Sequence, residues 1–81
     1  MLKIYGSMQC PDCVQCRQDL DKAGVAYTYF DFSESLSHLK IFLRYRDSLP
    51  IFAQAKENGK IGIPCIVDED DSVSLDWGKY L

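Results

Sequence analysis

The feature that most constrains this chain is a Cys-x-x-Cys pair, Cys10-Pro11-Asp12-Cys13, placed between an apolar opening and a helical pattern. The apolar opening predicts a short strand that ends at Gly6, and residues 12–23 predict a helix with Pro11 in its first turn. A strand that passes directly into a helix is typical of α/β folds. The Cys-x-x-Cys spacing at the turn between strand and helix also brings the two sulfurs within bonding reach, with Cys10 at the N-terminus of the helix.

The helix after Cys10 has one apolar face, because small and apolar residues recur at a spacing of three or four. This inward face consists of Cys13, Cys16, Leu20 and Ala23. We therefore interpret Cys16 chiefly as a small buried hydrophobic residue.

The remaining elements are predicted from periodicity and from cap and turn signals. A strand at 26–30 precedes a helix that is capped by Ser33 or Ser35 and has an apolar stripe. The stripe is formed by Leu36, Leu39, Phe42 and Leu43. The later segments are a helical piece at 50–57, a strand at 64–67, a turn at 68–71, a strand at 72–75, and at most one helical turn at 77–81.

This element order predicts an α/β fold with a mixed four-stranded sheet flanked by helices. The first β-α-β unit predicts a right-handed crossover and parallel pairing, and the last two strands predict an antiparallel hairpin. No linker or repeat divides the chain, so we expect a single domain over residues 1–81.

Composition limits the classes of partner. The net charge is −3 and there is no basic block, which does not favour binding to nucleic acid or anionic membranes. No apolar run approaches the roughly 20 residues that span a bilayer, and the opening residues do not match a signal peptide. Three of the four cysteines lie between residues 10 and 16, whereas a small protein stabilised by disulfide bonds has its cysteines spread over its loops. We expect a cytoplasmic monomer.

The Cys-x-x-Cys pair suits thiol–disulfide exchange. The helix N-terminus favours a thiolate on Cys10, the attacking species, and Cys13 lies one turn further along as the resolving thiol. Pro11 and Asp12 are expected to tune this pair. The Asp12 carboxylate places a negative charge near the Cys10 sulfur, which disfavours the thiolate and predicts a more reducing pair.

Two alternatives remain open at this stage. The spacing of Cys10, Cys13 and Cys16 also matches iron–sulfur ligand loops, and with Cys65 it would supply four thiolates for zinc or a cluster. The chain could otherwise be a non-catalytic interaction domain. Cys65 itself is predicted either to pack within its strand or to act as a third redox thiol beside the pair.

A resemblance adds to this interpretation. Ile4-Tyr5, Cys10-Pro11-Asp12-Cys13 and Gly62-Ile63-Pro64 occur in an order and at a spacing similar to those of the glutaredoxins. The resemblance implies a thioredoxin-like fold, here with a truncated C-terminal helix. It also implies a cis peptide bond before Pro64 and substrate contacts from the main chain of Ile63.

The resemblance further implies an oxidoreductase without a bound cofactor. Its substrate would be a protein disulfide or a glutathione mixed disulfide, and its electron donor glutathione or a thioredoxin-reductase-type protein. The chain departs from the family where Ser7-Met8-Gln9 replaces a basic residue and where Ser74-Leu75-Asp76-Trp77 replaces a Gly-Gly-acidic segment. Lys56 or Lys60 remains as a contact for a substrate carboxylate.

Overall fold

The chain folds as an α/β protein, and a computed structural model describes all of residues 1–81. Its elements are β1 (Leu2–Gly6), α1 (Pro11–Lys22), β2 (Tyr27–Asp31), α2 (Leu36–Ser48), α3 (Ala53–Glu57), β3 (Cys65–Val67) and β4 (Val73–Ser74). Short 3₁₀ turns occupy Pro50–Phe52 and Trp77–Tyr80. The predicted order is confirmed, although the expected helix at 50–57 divides into a 3₁₀ turn followed by α3.

The two longer helices begin at residues that suit their termini. Pro11 is the first residue of α1, where its missing N–H has no intrahelical partner, and Cys10 is the N-cap. Of the two serines predicted to cap α2, Ser35 does so, since its hydroxyl accepts a 3.1 Å hydrogen bond from the Ser37 amide. Ser33 instead donates to the Asp31 carboxylate at 2.6 Å.

The sheet has the strand order β2-β1-β3-β4. β1 pairs in parallel with β2, and β3 is antiparallel to both β1 and β4. The predicted parallel pair and hairpin are therefore both present. Because β3 runs opposite to β1 and Tyr5 faces Cys65, the segment that enters β3 lies at the end of the sheet where β1 meets α1.

Each face of the sheet carries its own core, because successive strand residues point to opposite faces. One cluster is covered by α1 and consists of Leu2, Ile4, Cys16, Leu20 and Ile66. The other cluster is covered by α2 and the Pro50–Phe52 turn and consists of Tyr5, Phe42, Phe52, Cys65 and Val67. The two cores place Cys16 and Cys65 on opposite sides of the sheet.

Three predicted core positions are wrong. Ala23 is exposed because it follows the last residue of α1, where the chain turns toward Gly24. Leu36 and Leu43 are 73% and 36% exposed. The face of α2 that contacts the core runs through Leu39, Phe42 and Tyr45, which turns Leu43 outward. Leu36 lies in the first turn, ahead of the residues that reach the core.

The C-terminal segment forms a single 3₁₀ turn, in agreement with the prediction of at most one helical turn at 77–81. This turn is joined to α1 by the indole of Trp77, whose Nε1 donates a 2.9 Å hydrogen bond to Asp19 Oδ2. None of the helices has the length and apolar character needed to cross a membrane.

Candidate active site

Cys10 lies at the point where the chain turns from β1 into α1. Its amide donates a 3.0 Å hydrogen bond to the Ser7 carbonyl, and its own carbonyl accepts the first helical bond from Val14 at 3.1 Å. The backbone at Cys10 is extended, with φ −92° and ψ 120°, and the side chain makes no capping bond to the helix amides. A partly exposed thiol is therefore held at the positive end of the helix dipole.

Cys13 is fully buried one turn behind Cys10. Its thiol lies within hydrogen-bonding reach of the Cys10 sulfur, the Ser7 amide and the Tyr29 hydroxyl. Burial is the main influence and raises the pKa of Cys13 to about 12, while the Ser7 amide acts to lower it. The structure thus brings together the two predicted cysteines, with the first accessible and the second shielded.

Gly6 makes the space that Cys13 occupies. A Cβ atom at this position would lie 2.7 Å from Cys13 Sγ and 2.9 Å from the Tyr29 hydroxyl oxygen, closer than real Cβ contacts allow. The absence of a side chain at the end of β1 is therefore what lets the buried sulfur approach the sheet.

A groove of about 480 Å³ opens beside Cys10. It is lined by Cys10, Asp12, Ala55, Gly59, Lys60, Ile61, Gly62, Ile63 and Leu75. Asp12 and Lys60 are its charged side chains, and the others are mainly apolar. Of the two lysines considered from the sequence, Lys60 lines this groove and Lys56 does not.

The loop that forms the far wall of the groove follows α3 and is fixed by α2. Arg46 donates to the carbonyls of Lys60 and Ile61, at 2.9 Å and 2.7 Å. Gly62 has a φ of +91°, a conformation that side chains rarely adopt, and a Cβ there would lie 2.7 Å from a ring carbon of Phe52. The backbone conformation and the tight space at position 62 of the groove wall thus allow only glycine.

The loop ends at Ile63 and Pro64, which are joined by a cis peptide bond as the resemblance implies. Pro64 is buried, whereas Ile63 is half-buried and lines the groove together with Cys10. Neither the N–H nor the carbonyl of Ile63 takes part in a hydrogen bond within the chain. Its main chain is therefore available to a molecule bound in the groove.

Cys65 does not join the pair. Its side chain is fully buried in the core beneath α2, on the opposite face of the sheet from Cys13, and it does not line the groove. Burial raises its pKa to about 12. Of the two interpretations left open from the sequence, the structure gives strand packing rather than a third thiol beside the pair.

The four cysteines are likewise not brought together as a four-thiolate site for zinc or a cluster. Cys16 packs in the core beneath α1, where burial, followed by the nearby Asp19 carboxylate, raises its pKa to about 11. Cys65 lies across the sheet from it. No group of three or more His, Cys, Asp or Glu side chains is arranged so that it could hold a metal ion.

Three residues shape this site in ways that were not predicted from the sequence: Gly6, Tyr29 and Arg46. Alternation along β2 was a usable signal for Tyr29, because it places Tyr27 and Tyr29 on the face that α1 covers. No local signal pointed to Gly6 or Arg46, since each meets partners in other elements of the fold.

The chain has a relative in Haemophilus influenzae. The two are 40% identical over 76 residues, which cover 94% of this chain and 88% of the relative, and that protein is described as uncharacterized. The chain belongs to the same family as this protein. No protein-family model matches the chain, and no solved structure matches it.

Proposed function

We propose that this protein is a thiol–disulfide oxidoreductase with a thioredoxin-like fold, related to the glutaredoxins. The observation that carries the proposal is the pairing of an accessible Cys10 thiol with a buried Cys13 thiol at the head of α1, facing Ile63 across a groove. The sheet order and the cis bond before Pro64 are consistent with such a fold.

The reaction begins with attack of the Cys10 thiolate on a disulfide R–S–S–R′. A bond forms between Cys10 and the R sulfur, and R′ leaves as a thiolate that takes up a proton from solvent. Cys13 then attacks the Cys10 sulfur, which forms the Cys10–Cys13 disulfide and releases R–SH. Two electrons pass from the dithiol to the substrate, and an external donor then restores the dithiol.

Each side of the groove has a part in this scheme. The main-chain groups of Ile63 are free to pair with an extended segment around the substrate disulfide, and the buried Pro64 follows them directly. Lys60 is available to a substrate carboxylate, and Asp12 stands beside the attacking sulfur. The substrate is a protein disulfide or a glutathione mixed disulfide in the cytoplasm, and glutathione or a thioredoxin-reductase-type protein supplies the electrons.

The test is turnover of a glutathione–peptide mixed disulfide, with glutathione and its reductase in one arm and a thioredoxin reductase in the other. We expect Cys10→Ser to abolish turnover and Cys13→Ser to accumulate a mixed disulfide on Cys10, detectable by mass spectrometry. Cys16→Ala is the matched control, because it removes a buried sulfur from the same helix outside the pair. Unchanged turnover in Cys10→Ser, or no turnover with either donor, would contradict the proposal.

A further inference from the structure

The Tyr29 side chain reaches the buried thiol from the neighbouring strand. Tyr29 lies opposite Ile4 in the parallel pairing of β1 and β2, and its ring packs on the core beneath α1. Its hydroxyl and the Cys13 sulfur meet in the space left by Gly6, at 2.9 Å and 2.7 Å from the position of the missing Cβ. Two elements thus direct an O–H group and a thiol into the same small volume.

The Tyr29 hydroxyl is fully buried and unpaired, and the Cys13 sulfur is the group within its reach. Buried hydroxyls in proteins are nearly always paired, so an unpaired one calls for an explanation. A neutral thiol is a weak acceptor, whereas a thiolate is a charged and much stronger one. The hydroxyl beside Cys13 is therefore satisfied best when Cys13 carries its negative charge.

The charges around Tyr29 make it a donor rather than a base. Burial is the main cause that raises the pKa of Tyr29 well above its ordinary value, and Cys13 and Asp31 raise it further. Arg17 opposes this, with its guanidinium carbon 4.4 Å from the ring centroid. The phenol consequently keeps its proton at neutral pH.

We propose that Tyr29 is a positioning residue for the resolving step, in which its hydroxyl donates a hydrogen bond to the Cys13 thiolate as Cys13 attacks the mixed disulfide on Cys10. This inference rests on the proposed function. The bond between Cys13 and Cys10 forms, the bond between Cys10 and the substrate sulfur breaks, and the released thiolate takes up the proton that Cys13 lost to solvent. Tyr29 keeps its own proton throughout.

The chain offers a matched pair of variants. Tyr29→Phe removes only the hydroxyl and keeps the ring over which Arg17 lies. Tyr27→Phe removes the same atom from the same face of β2, but the Tyr27 hydroxyl bonds to Arg17 and Asp21, at 3.3 Å and 2.7 Å. A general effect of losing a phenol beneath α1 would appear in both variants, whereas an effect through Cys13 would appear only in Tyr29→Phe.

The experiment is a single turnover with a glutathione–peptide mixed disulfide, quenched in acid and followed by mass spectrometry from pH 6 to pH 9. We expect the resolving step to slow about 10-fold or more in Tyr29→Phe, the range for a hydrogen bond to a charged group, and its pH profile to move to higher pH. The mixed disulfide on Cys10 should accumulate. The first step, measured in a Cys13→Ser background, should be unchanged, and Tyr27→Phe should resemble the wild type.

The outcomes separate the two proposals. If Tyr29→Phe and the wild type resolve at the same rate with the same pH profile, Tyr29 has no such role, while the oxidoreductase proposal stands. If Tyr29→Phe slows both steps equally, its role is structural and the inference is overturned. If no variant forms a mixed disulfide on Cys10, the proposed function itself is wrong.

Discussion

Arg46 Nε donates a 2.7 Å hydrogen bond to the carbonyl oxygen of Ile61, and this bond joins the last turn of α2 to the wall of the groove. A second bond from the same guanidinium reaches the Lys60 carbonyl. Because the guanidinium is planar and its N–H groups have fixed directions, two bonds from it set both the position and the orientation of the loop.

We therefore expect Arg46→Ala to loosen the groove wall without altering the cysteine pair. The KM for a disulfide substrate should rise several-fold, while alkylation of Cys10 by iodoacetamide proceeds at the wild-type rate. The loss in free energy of unfolding should be about 1 kcal/mol, since the bonds are exposed to solvent. Arg44→Ala is the control, because Arg44 is an exposed arginine on the same helix. An unchanged KM in Arg46→Ala would contradict the role of this contact.

Gly6→Ala should disturb the buried thiol directly. The new methyl group would meet Cys13 Sγ at 2.7 Å and the Tyr29 hydroxyl at 2.9 Å, and both atoms are held in a packed interior. We expect a loss of about 1–3 kcal/mol in the free energy of unfolding, measured by urea denaturation.

Gly78→Ala provides the comparison for this substitution. Its Cβ would meet only the carboxylate of the exposed Asp76 side chain, 3.0 Å from Oδ1, and the one bond that has to adjust is the 2.9 Å hydrogen bond that this oxygen accepts from the Gly78 amide. Gly78→Ala should therefore cost much less than Gly6→Ala. Equal stability in the two variants would show that the space at Gly6 is not needed.

Asp12→Asn should make the cysteine pair less reducing. Asp12 is an exposed carboxylate in the first turn of α1 and lines the groove with Cys10, so its removal takes away a charge that repels the thiolate. We expect a less negative reduction potential, measured against glutathione redox buffers. Asp47→Asn makes the same change in net charge on α2. A potential that shifts equally in both variants, or not at all in Asp12→Asn, would exclude local tuning by Asp12.

Much of the fold could be predicted from local patterns. The apolar opening that forms β1, the serine cap of α2 and the proline at the start of α1 each depend on neighbouring residues, and each was recognised in the sequence. The strand and helix at Cys10 and Cys13 followed from the same signals. The errors at Leu36 and Leu43 arose because helical spacing alone does not say which part of a broad apolar face meets the sheet.

The parts of the site that could not be predicted depend on contacts across the sheet. Cys65 follows Pro64 directly in the sequence, yet the pleat turns its side chain to the opposite face from Cys13. The contact between Tyr29 and Cys13 requires both the parallel register of β1 with β2 and the space at Gly6. Contacts of this kind can be inferred only when the pairing register of the strands is known.

The buried thiols predict a loss of stability at alkaline pH. Burial raises the pKa of Cys65 from 9.0 to about 12, so above pH 9 the unfolded chain loses this proton while the folded protein keeps it. The unfolded state then binds fewer protons, and the free energy of unfolding decreases as pH rises. The contribution of the buried Cys65 thiol to the free energy of unfolding is complete below pH 9. It is lost progressively toward pH 12, by about 1.4 kcal/mol per pH unit.

Cys65→Ala isolates this contribution, because burial is the only cause of the shift and the residue lies across the sheet from the pair. Urea denaturation at half-unit steps from pH 8 to pH 10.5 should give a shallower decrease than in the wild type, although the variant is less stable at pH 8. Val67→Ala is the control, since it opens a cavity in the same cluster without removing a titratable group. Its curve should run parallel to that of the wild type. If the Cys65→Ala curve is also parallel, the Cys65 thiol ionises equally in the folded and unfolded states, and the burial argument does not hold for it.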